Sequence, residues 1–293
     1  MAEIIQKDGT WTFDGDTLRL TPGRDKNVGL LRKTLGELAL PLRALAGISF
    51  EQGKKSGRLR LRLRDGADPL LHATGGRLTE PHDPYQLIVD SDRYGVAEYF
   101  TEEVRTALLL DQVPADPVTE YLLPGPSVPL SVSAGDGTVS FDGERIRLEW
   151  NWKTEDAKAA AGTRTLALAD LAGVEWQPAV GLENGHIRFL VRHSPTKAPA
   201  KYDPNSVELW GFKKDPLMAL VAAAVQARLP HPAAPADERP RELEATPQPL
   251  AAPAEDDHDA LLRRLRELGE LHRSGVLTDE EFTLAKQAIL KRM

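Results

Sequence analysis

The chain has 293 residues, 28% charged and 41% in the hydrophobic set, close to ordinary globular usage and unlike a disordered or fibrous chain, so more than one hydrophobic core is expected. Thirty-seven Lys and Arg against 44 Asp and Glu give a net charge of −7, so no overall positive field gathers nucleic acid, and a nucleic-acid partner is not expected. Cysteine is absent, which excludes disulfides, thiol nucleophiles and thiolate metal sites; with neither a signal peptide at MAEIIQKDGTW nor an apolar run near the ~18 residues of a membrane span, a cytoplasmic location is expected.

The first element is a hairpin. Two alternating segments flank Asp14-Gly15, a pair that predicts a type I′ turn because both central residues then need φ > 0. The run from Asp8 to Leu20 returns 128 positions later as Asp136 to Leu148, with a second Asp-Gly at Asp142-Gly143. Leu45-Ala46-Gly47-Ile48 likewise returns as Leu171-Ala172-Gly173-Val174, and Gly57-Arg58-Leu59-Arg60-Leu61 as Gly185-His186-Ile187-Arg188-Phe189. Three matches in one order identify two copies of one domain, residues 1–112 and 126–229. Further strands of the first copy are expected at Leu38 to Leu42, Gly47 to Glu51, Arg58 to Arg64, Leu70 to Thr74 and Tyr85 to Asp90, making about seven.

A helix follows in each copy. Over Gly95 to Leu110, Val96, Tyr99, Phe100, Val104 and Leu108 recur at spacings of three and four, one apolar face of an amphipathic helix. Its counterpart spans Asp215 to Leu229, where Asp215-Pro216 reads as an N-cap followed by proline at the first helical position.

The most pointed local feature is Arg58-Leu59-Arg60-Leu61-Arg62-Leu63-Arg64, preceded by Lys54-Lys55. Period-two alternation sends the three leucines inward and puts Arg58, Arg60, Arg62 and Arg64 on one outer face, where guanidinium groups could engage an anion. The alternative is a solvated sheet face whose charges prevent edge pairing and are neutralised by acids on neighbouring strands. The second copy offers only Arg188, Arg192 and His186 there, so a shared function would be unequal. Trp150 and Trp152 alternate onto one strand face, as core or as a ligand platform; Trp11, Trp176 and Trp210 read as buried strand residues.

From residue 230 to 257, seven prolines, seven alanines and a local excess of acids leave little to bury and predict a disordered linker. Residues 258–293 read as two short helices. Leu261, Leu262, Leu265, Leu268 and Leu271 form a stripe that stops at Ser274-Gly275, and Thr278 with Glu281 makes a capping box for the second. Two helices this short cannot cover their own apolar faces, so Leu261, Leu265, Leu268, Phe282 and Ile289 are expected to mediate self-association or docking on a protein partner, or to cap their own chain.

No phosphate-binding glycine loop, nucleophile elbow or zinc-protease motif occurs, and His72 with His82-Asp83 lacks metal-ligand spacing. Neither catalysis, metal nor cofactor is expected. The order of about seven strands and one helix resembles the pleckstrin-homology-like (PH-like) architecture. The repeated Phe-Asp-Gly, Leu-Ala-Gly-Ile/Val and Gly-x-Ile/Leu-Arg blocks resemble the actinobacterial domain of unknown function 4429, often found in tandem and without an assigned activity. The Leu-x-x-Leu-x-x-Leu run followed by Gly275-Val276-Leu277-Thr278-x-Glu280-Glu281-Phe282 is similar to the short C-terminal domain known as SHOCT. The expected fold is therefore mainly β with α: two tandem PH-like barrels or sandwiches each ending in a helix, a disordered linker and a helical hairpin. The expected role is a non-enzymatic binding or scaffold protein, with a peripheral binder of anionic membranes through Arg58–Arg64, or an enzyme with an unrecognised site, as the alternatives.

Overall fold

The structure is a computed structural model, and it describes residues 1–234 except His193, Pro195 and Lys197. The rest of the expected linker and the C-terminal helices, with Leu261, Leu265, Leu268, Phe282 and Ile289, lie outside the described residues.

The first copy runs β1 (Ala2–Ile5), β2 (Gly9–Phe13), β3 (Thr17–Pro22), α1 (Leu30–Leu35), β4 (Leu38–Pro41), β5 (Leu45–Glu51), β6 (Ser56–Leu63), α2 (Pro69–Thr74), β7 (Gln86–Asp90) and α3 (Tyr94–Leu110). The second runs β8 (Leu130–Ala134), β9 (Gly137–Phe141), β10 (Arg145–Trp150), α4 (Asp156–Ala160), β11 (Arg164–Ala167), β12 (Leu171–Gln177), β13 (Gly185–Val191), β14 (Ser206–Leu209) and α5 (Met218–Gln226). In each copy the first four strands form one antiparallel meander and the last three another, and the helix follows. The protein is thus mainly β, built from two repeated sheet-rich domains that each end in a helix.

Seven strands per copy match the expected number, but one of them is different. Leu70 to Thr74, read as a strand, is the helix α2: Asp68 caps it by accepting the Leu70 and Leu71 amides at 3.0 Å each, Pro69 opens it, and Gly75 ends it in the left-handed region. The missing strand is β1, which pairs with β2 from Ala2 opposite Phe13. The hairpin turns also differ from type I′. Within these two turns only Gly15 and Gly143 have positive φ, 115° and 113°. The Asp14 carboxylate instead accepts the Asp16 and Thr17 amides at 3.0 and 2.8 Å, and Asp142 repeats this with Glu144 and Arg145. Side-chain acceptors take the Thr17 and Arg145 amides, while the Asp14 and Asp142 amides still donate to the Thr17 and Arg145 carbonyls at 3.3 Å.

In α3, Ala97, Phe100, Thr101 and Val104 are buried, whereas Tyr99, placed on the apolar face by spacing, is exposed. Helix α5 has no exposed face at all: its nine residues are buried. Asp215 does not cap it. The Asp215 carboxylate turns back and accepts the Trp210, Gly211 and Phe212 amides at 2.8, 2.8 and 3.0 Å.

The reason α5 is apolar all round is that both copies cover it. One side packs on β8, β9, β12 and β13 of its own copy, and α2 of the first copy roofs the other. Leu31, Leu70, Ala73 and Leu78 of the first copy belong to the same hydrophobic cluster as Val139, Phe189 and Val221 of the second. The first copy keeps its own core around Trp11, Phe100 and Leu59, joined by Val118 and Leu123 from the connection between copies. The start of the expected linker is packed as well. His231 is buried, and its ring stands 4.7 Å from that of Tyr121.

Candidate functional site

The alternation on β6 puts Leu59, Leu61 and Leu63 into the core and the arginines outward, as the period of two requires. The four arginines are not equivalent. Arg58 pairs with Glu80 at 2.9 Å and lies opposite Glu51 on β5. Arg64 donates to the carbonyls of Asp116 and Arg43 at 2.8 and 3.2 Å. Both ends of the stripe are therefore tied down. Arg60 makes no ion pair among the described residues, and Arg62 has only a 3.5 Å contact to the Ala46 carbonyl. Lys54 and Lys55 are exposed in the turn before β6, about five residues from Arg60 and so roughly 17 Å away along the strand. The six candidates reduce to two that share a site.

What lies between those two went unnoticed in the sequence. Arg60 stands opposite Ser49 and Arg62 opposite Gly47, where the β5–β6 register shifts between Leu45 and Gly47. A Cβ at Gly47 would meet no atom within 4 Å, so glycine is not demanded by packing, and its bareness leaves a shallow depression. That depression, about 340 Å³, is lined by Gly47, Ser49, Arg60 and Arg62. Two guanidinium groups and a hydroxyl around an open floor suit an anion of phosphate size. The signal was the Gly47-Ile48-Ser49 segment, which reads as a strand without its pairing partner.

The second copy has the same register with different chemistry. Glu175 opposes Arg188 where Ser49 opposes Arg60, and Leu190 opposes Gly173 where Arg62 opposes Gly47. Arg188 is turned onto Asp203 at 3.1 Å and the Ala198 carbonyl at 2.7 Å. One saddle is cationic; its counterpart is neutralised.

A second concavity, about 640 Å³, lies beside the contact between copies, with Arg62, Arg64, Asp68, His72, Tyr85 and His231 in its wall. Its polar groups satisfy one another. Gln226 donates to the Tyr121 hydroxyl at 2.8 Å, which leaves that hydroxyl's proton for His72 Nδ1 at 2.7 Å. His231 Nδ1 accepts the Ala233 amide and its Nε2 donates to the Gly66 carbonyl, each at 3.1 Å. Partial burial, and after it the repulsion between two imidazolium charges when His231 is also protonated, hold His72 below the ordinary histidine range. Burial pushes the Tyr121 hydroxyl up to about 12. Asp68, pushed up by burial, accepts the Tyr85 hydroxyl at 2.7 Å. This is a clasp between the copies. His72 and His82 do not come together on a metal, and no group of three possible ligands occurs among the described residues. Nor is any helix there long and apolar enough to cross a membrane.

Trp150 packs on the core and donates to the Gly162 carbonyl at 2.8 Å, but Trp152 lies past the strand end and is 89% exposed. The two tryptophans therefore do not share one face.

Comparison with known families places these copies. The family model described as "Domain of unknown function (DUF4429)" matches residues 11–105 and again 139–226. That described as "Short C-terminal domain" (SHOCT) matches residues 263–290. No curated protein matches the chain.

Proposed function

From the premise that the chain belongs to the DUF4429 family and carries two copies of its domain ahead of a C-terminal SHOCT segment, we propose that it is a non-enzymatic binding and scaffold protein. In this reading the first copy recognises an anionic group at the Arg60–Arg62 saddle, and the C-terminal helices bring several chains together or dock them on a partner. The carrying observation is that Arg60 and Arg62 flank an open floor and make no ion pair among the described residues, Asp83 reaching Arg60 only by longer-range attraction, while Glu175 and Leu190 occupy the same position in the second copy. The arrangement of a four-stranded and a three-stranded sheet followed by a helix supports a PH-like description of each copy.

Affinity arithmetic links the two halves. Two basic side chains near an anionic surface contribute about 1 kcal/mol each, so one saddle alone binds more weakly than millimolar. Several saddles presented together would multiply that by effective concentration. Leu261, Leu265, Leu268, Phe282 and Ile289 are the proposed means of assembly.

Co-flotation of the full-length protein with phosphatidylserine vesicles, against phosphatidylcholine vesicles and against soluble polyphosphate, tests the reading. Arg60→Glu with Arg62→Glu should abolish binding, and Arg58→Glu should leave most of it. Capture by vesicles alone identifies a membrane surface as the source of the anion, and capture of polyphosphate a soluble one. Equal behaviour of the double variant and the wild type would remove the saddle from the proposal.

A further inference from the structure

Lys153 follows the exposed Trp152, and its ammonium lies 5.3 Å from the centroid of that ring, 5.2 Å from Trp210 and 5.5 Å from Phe212. Trp210 and Phe212 stand nearly at right angles, 79° apart with centroids 5.9 Å from one another, so they make two walls of a corner. Phe212 is 56% exposed, so the corner opens to solvent. Three aromatic faces within about 6 Å of one cation have the geometry by which proteins hold ammonium groups. The Trp210 indole is fixed by its Nε1–H, which donates to Glu208 at 3.1 Å. A carboxylate on the indole N–H pushes electron density into the ring and strengthens its face.

The Lys153 ammonium has no carboxylate or carbonyl partner among the described residues; only its backbone amide is bound, to Asn151 at 2.9 Å. It rests against the rings alone. The matching stretch of the first copy has Asp90 and Asp92 where the second has Trp210 and Phe212, a correspondence set by Ile88 and Glu208, whose amides meet equivalent aspartates. The corner therefore belongs to the second copy only.

We propose that Trp152, Trp210 and Phe212 form a binding site for an alkylammonium group, from a small quaternary amine or a methylated lysine side chain, and that Lys153 is its built-in occupant, displaced on binding. A primary ammonium is compact and strongly hydrated, whereas methylation spreads the charge and adds apolar surface that fits ring faces. Exposed Lys213 and Lys214 follow Phe212, so bulk charge disfavours any cation here and selectivity must come from the rings. The order of preference is then quaternary above primary, opposite to that of a carboxylate site.

The full-length protein carries five tryptophans, so its indole N–H signals can be followed one by one in two-dimensional NMR. Tetramethylammonium, and a trimethyllysine peptide beside its unmodified form, are titrated against sodium chloride at equal ionic strength. The Trp152 and Trp210 signals should move with the methylated probes only. Lys153→Ala, which frees the corner, should tighten binding about fivefold, and Phe212→Leu or Trp152→Leu should weaken it by a similar factor, each the size of one exposed cation–π contact. Both replaced rings are at the surface, so an unchanged melting temperature certifies the variants. Saturation by tetramethylammonium at the same concentration as the peptide points to a small amine, and a much tighter peptide to a protein partner; both outcomes support the site. Unmoved signals in wild type and Lys153→Ala alike, no tightening in Lys153→Ala, or undiminished binding in Phe212→Leu would overturn it.

Discussion

Lys158 is wholly buried and donates to Asp136 at 2.6 Å, while the other oxygen of Asp136 accepts the Glu208 amide at 2.8 Å. The first copy has the same device with other residues: Arg32 on α1 donates to Asp8 at 2.9 Å, and Asp8 accepts the Ile88 amide at 3.1 Å. In each copy a short helix between the third and fourth strands sends a cation to the aspartate that precedes the second strand. That aspartate then reaches the last strand of the other sheet, so one charge pair ties two sheets and a helix. Burial pushes the Asp136 carboxyl up, with the Lys158 ammonium pulling against it.

Lys158→Met leaves Asp136 buried without its cation and should cost about 3–5 kcal/mol in urea denaturation. Adding Asp136→Asn removes the stranded charge and should recover much of the loss. Arg32→Met should cost less, because the Asp8 side chain is 18% exposed and keeps contact with water. Equal losses at the two sites would show that burial does not set the difference.

Stability should fall as the solution is acidified below the ordinary histidine value of 6.5. Burial holds His72, His82 and His186 low in the folded protein. Below 6.5 the unfolded chain therefore binds more protons, and the contribution, complete above 6.5, is lost as pH drops through the lowered folded values. The carboxyls of Asp68 and Asp83, pushed up by burial, act in the opposite sense, so the comparison is made between variants. His72→Gln and His82→Gln should each flatten the decline in melting temperature between pH 7.5 and 5. Slopes identical to the wild type would contradict the assignment.

The two copies should differ when separated. Residues 1–125 keep α3 and their own core, and circular dichroism should find them folded. Residues 126–234 lose the roof that α2 sets over α5 and expose part of a wholly apolar helix. Each leucine-sized group left bare costs about 1.5–3 kcal/mol. The isolated second copy is expected to unfold or aggregate, and a cooperative melt from it would disprove the shared core.

Glycines separate conformation from space. Gly15→Val and Gly143→Val force a side chain onto φ near 115°, and each should destabilise by about 1–3 kcal/mol. At Gly47 a Cβ would meet no atom within 4 Å, so Gly47→Glu should change stability by less than about 0.5 kcal/mol, yet its carboxylate would sit beside Arg60 and Arg62 in the saddle and should abolish anion capture. A Gly47→Glu protein that still binds anions would separate the saddle from that activity.

Much of the fold was legible because repetition doubled every signal. The Asp-Gly hairpins, the inward leucines of β6 and the closing helices follow from period and turn chemistry within single segments. The errors arise where a residue answers to something distant in the chain. Asp68-Pro69 with Gly75 carries the full start and stop signature of a helix, but its leucines pass for a strand when read alone. Asp215-Pro216 carries the same signature, and there the carboxylate serves the preceding loop. The complete burial of α5 cannot be inferred from its own sequence, since Met-Ala-Leu-Val-Ala is apolar whether one copy or two surround it. Lys158 looks like any surface lysine until Asp136 is brought beneath it. Of the candidate site, the stripe was legible and its division into tied and free arginines was not, because Glu80 and Asp116 arrive from loops.

The α2–α5 contact also gives the tandem a direction. Only the first copy contributes a roofing helix: the described residues between β13 and β14 form none, so the second copy takes a cover and offers none in return. A third copy added after the second would find no cover for its own last helix, and one added before the first would bring a cover that the partly polar α3 does not need. Within this pair the first copy is thus the lid and the second the vessel.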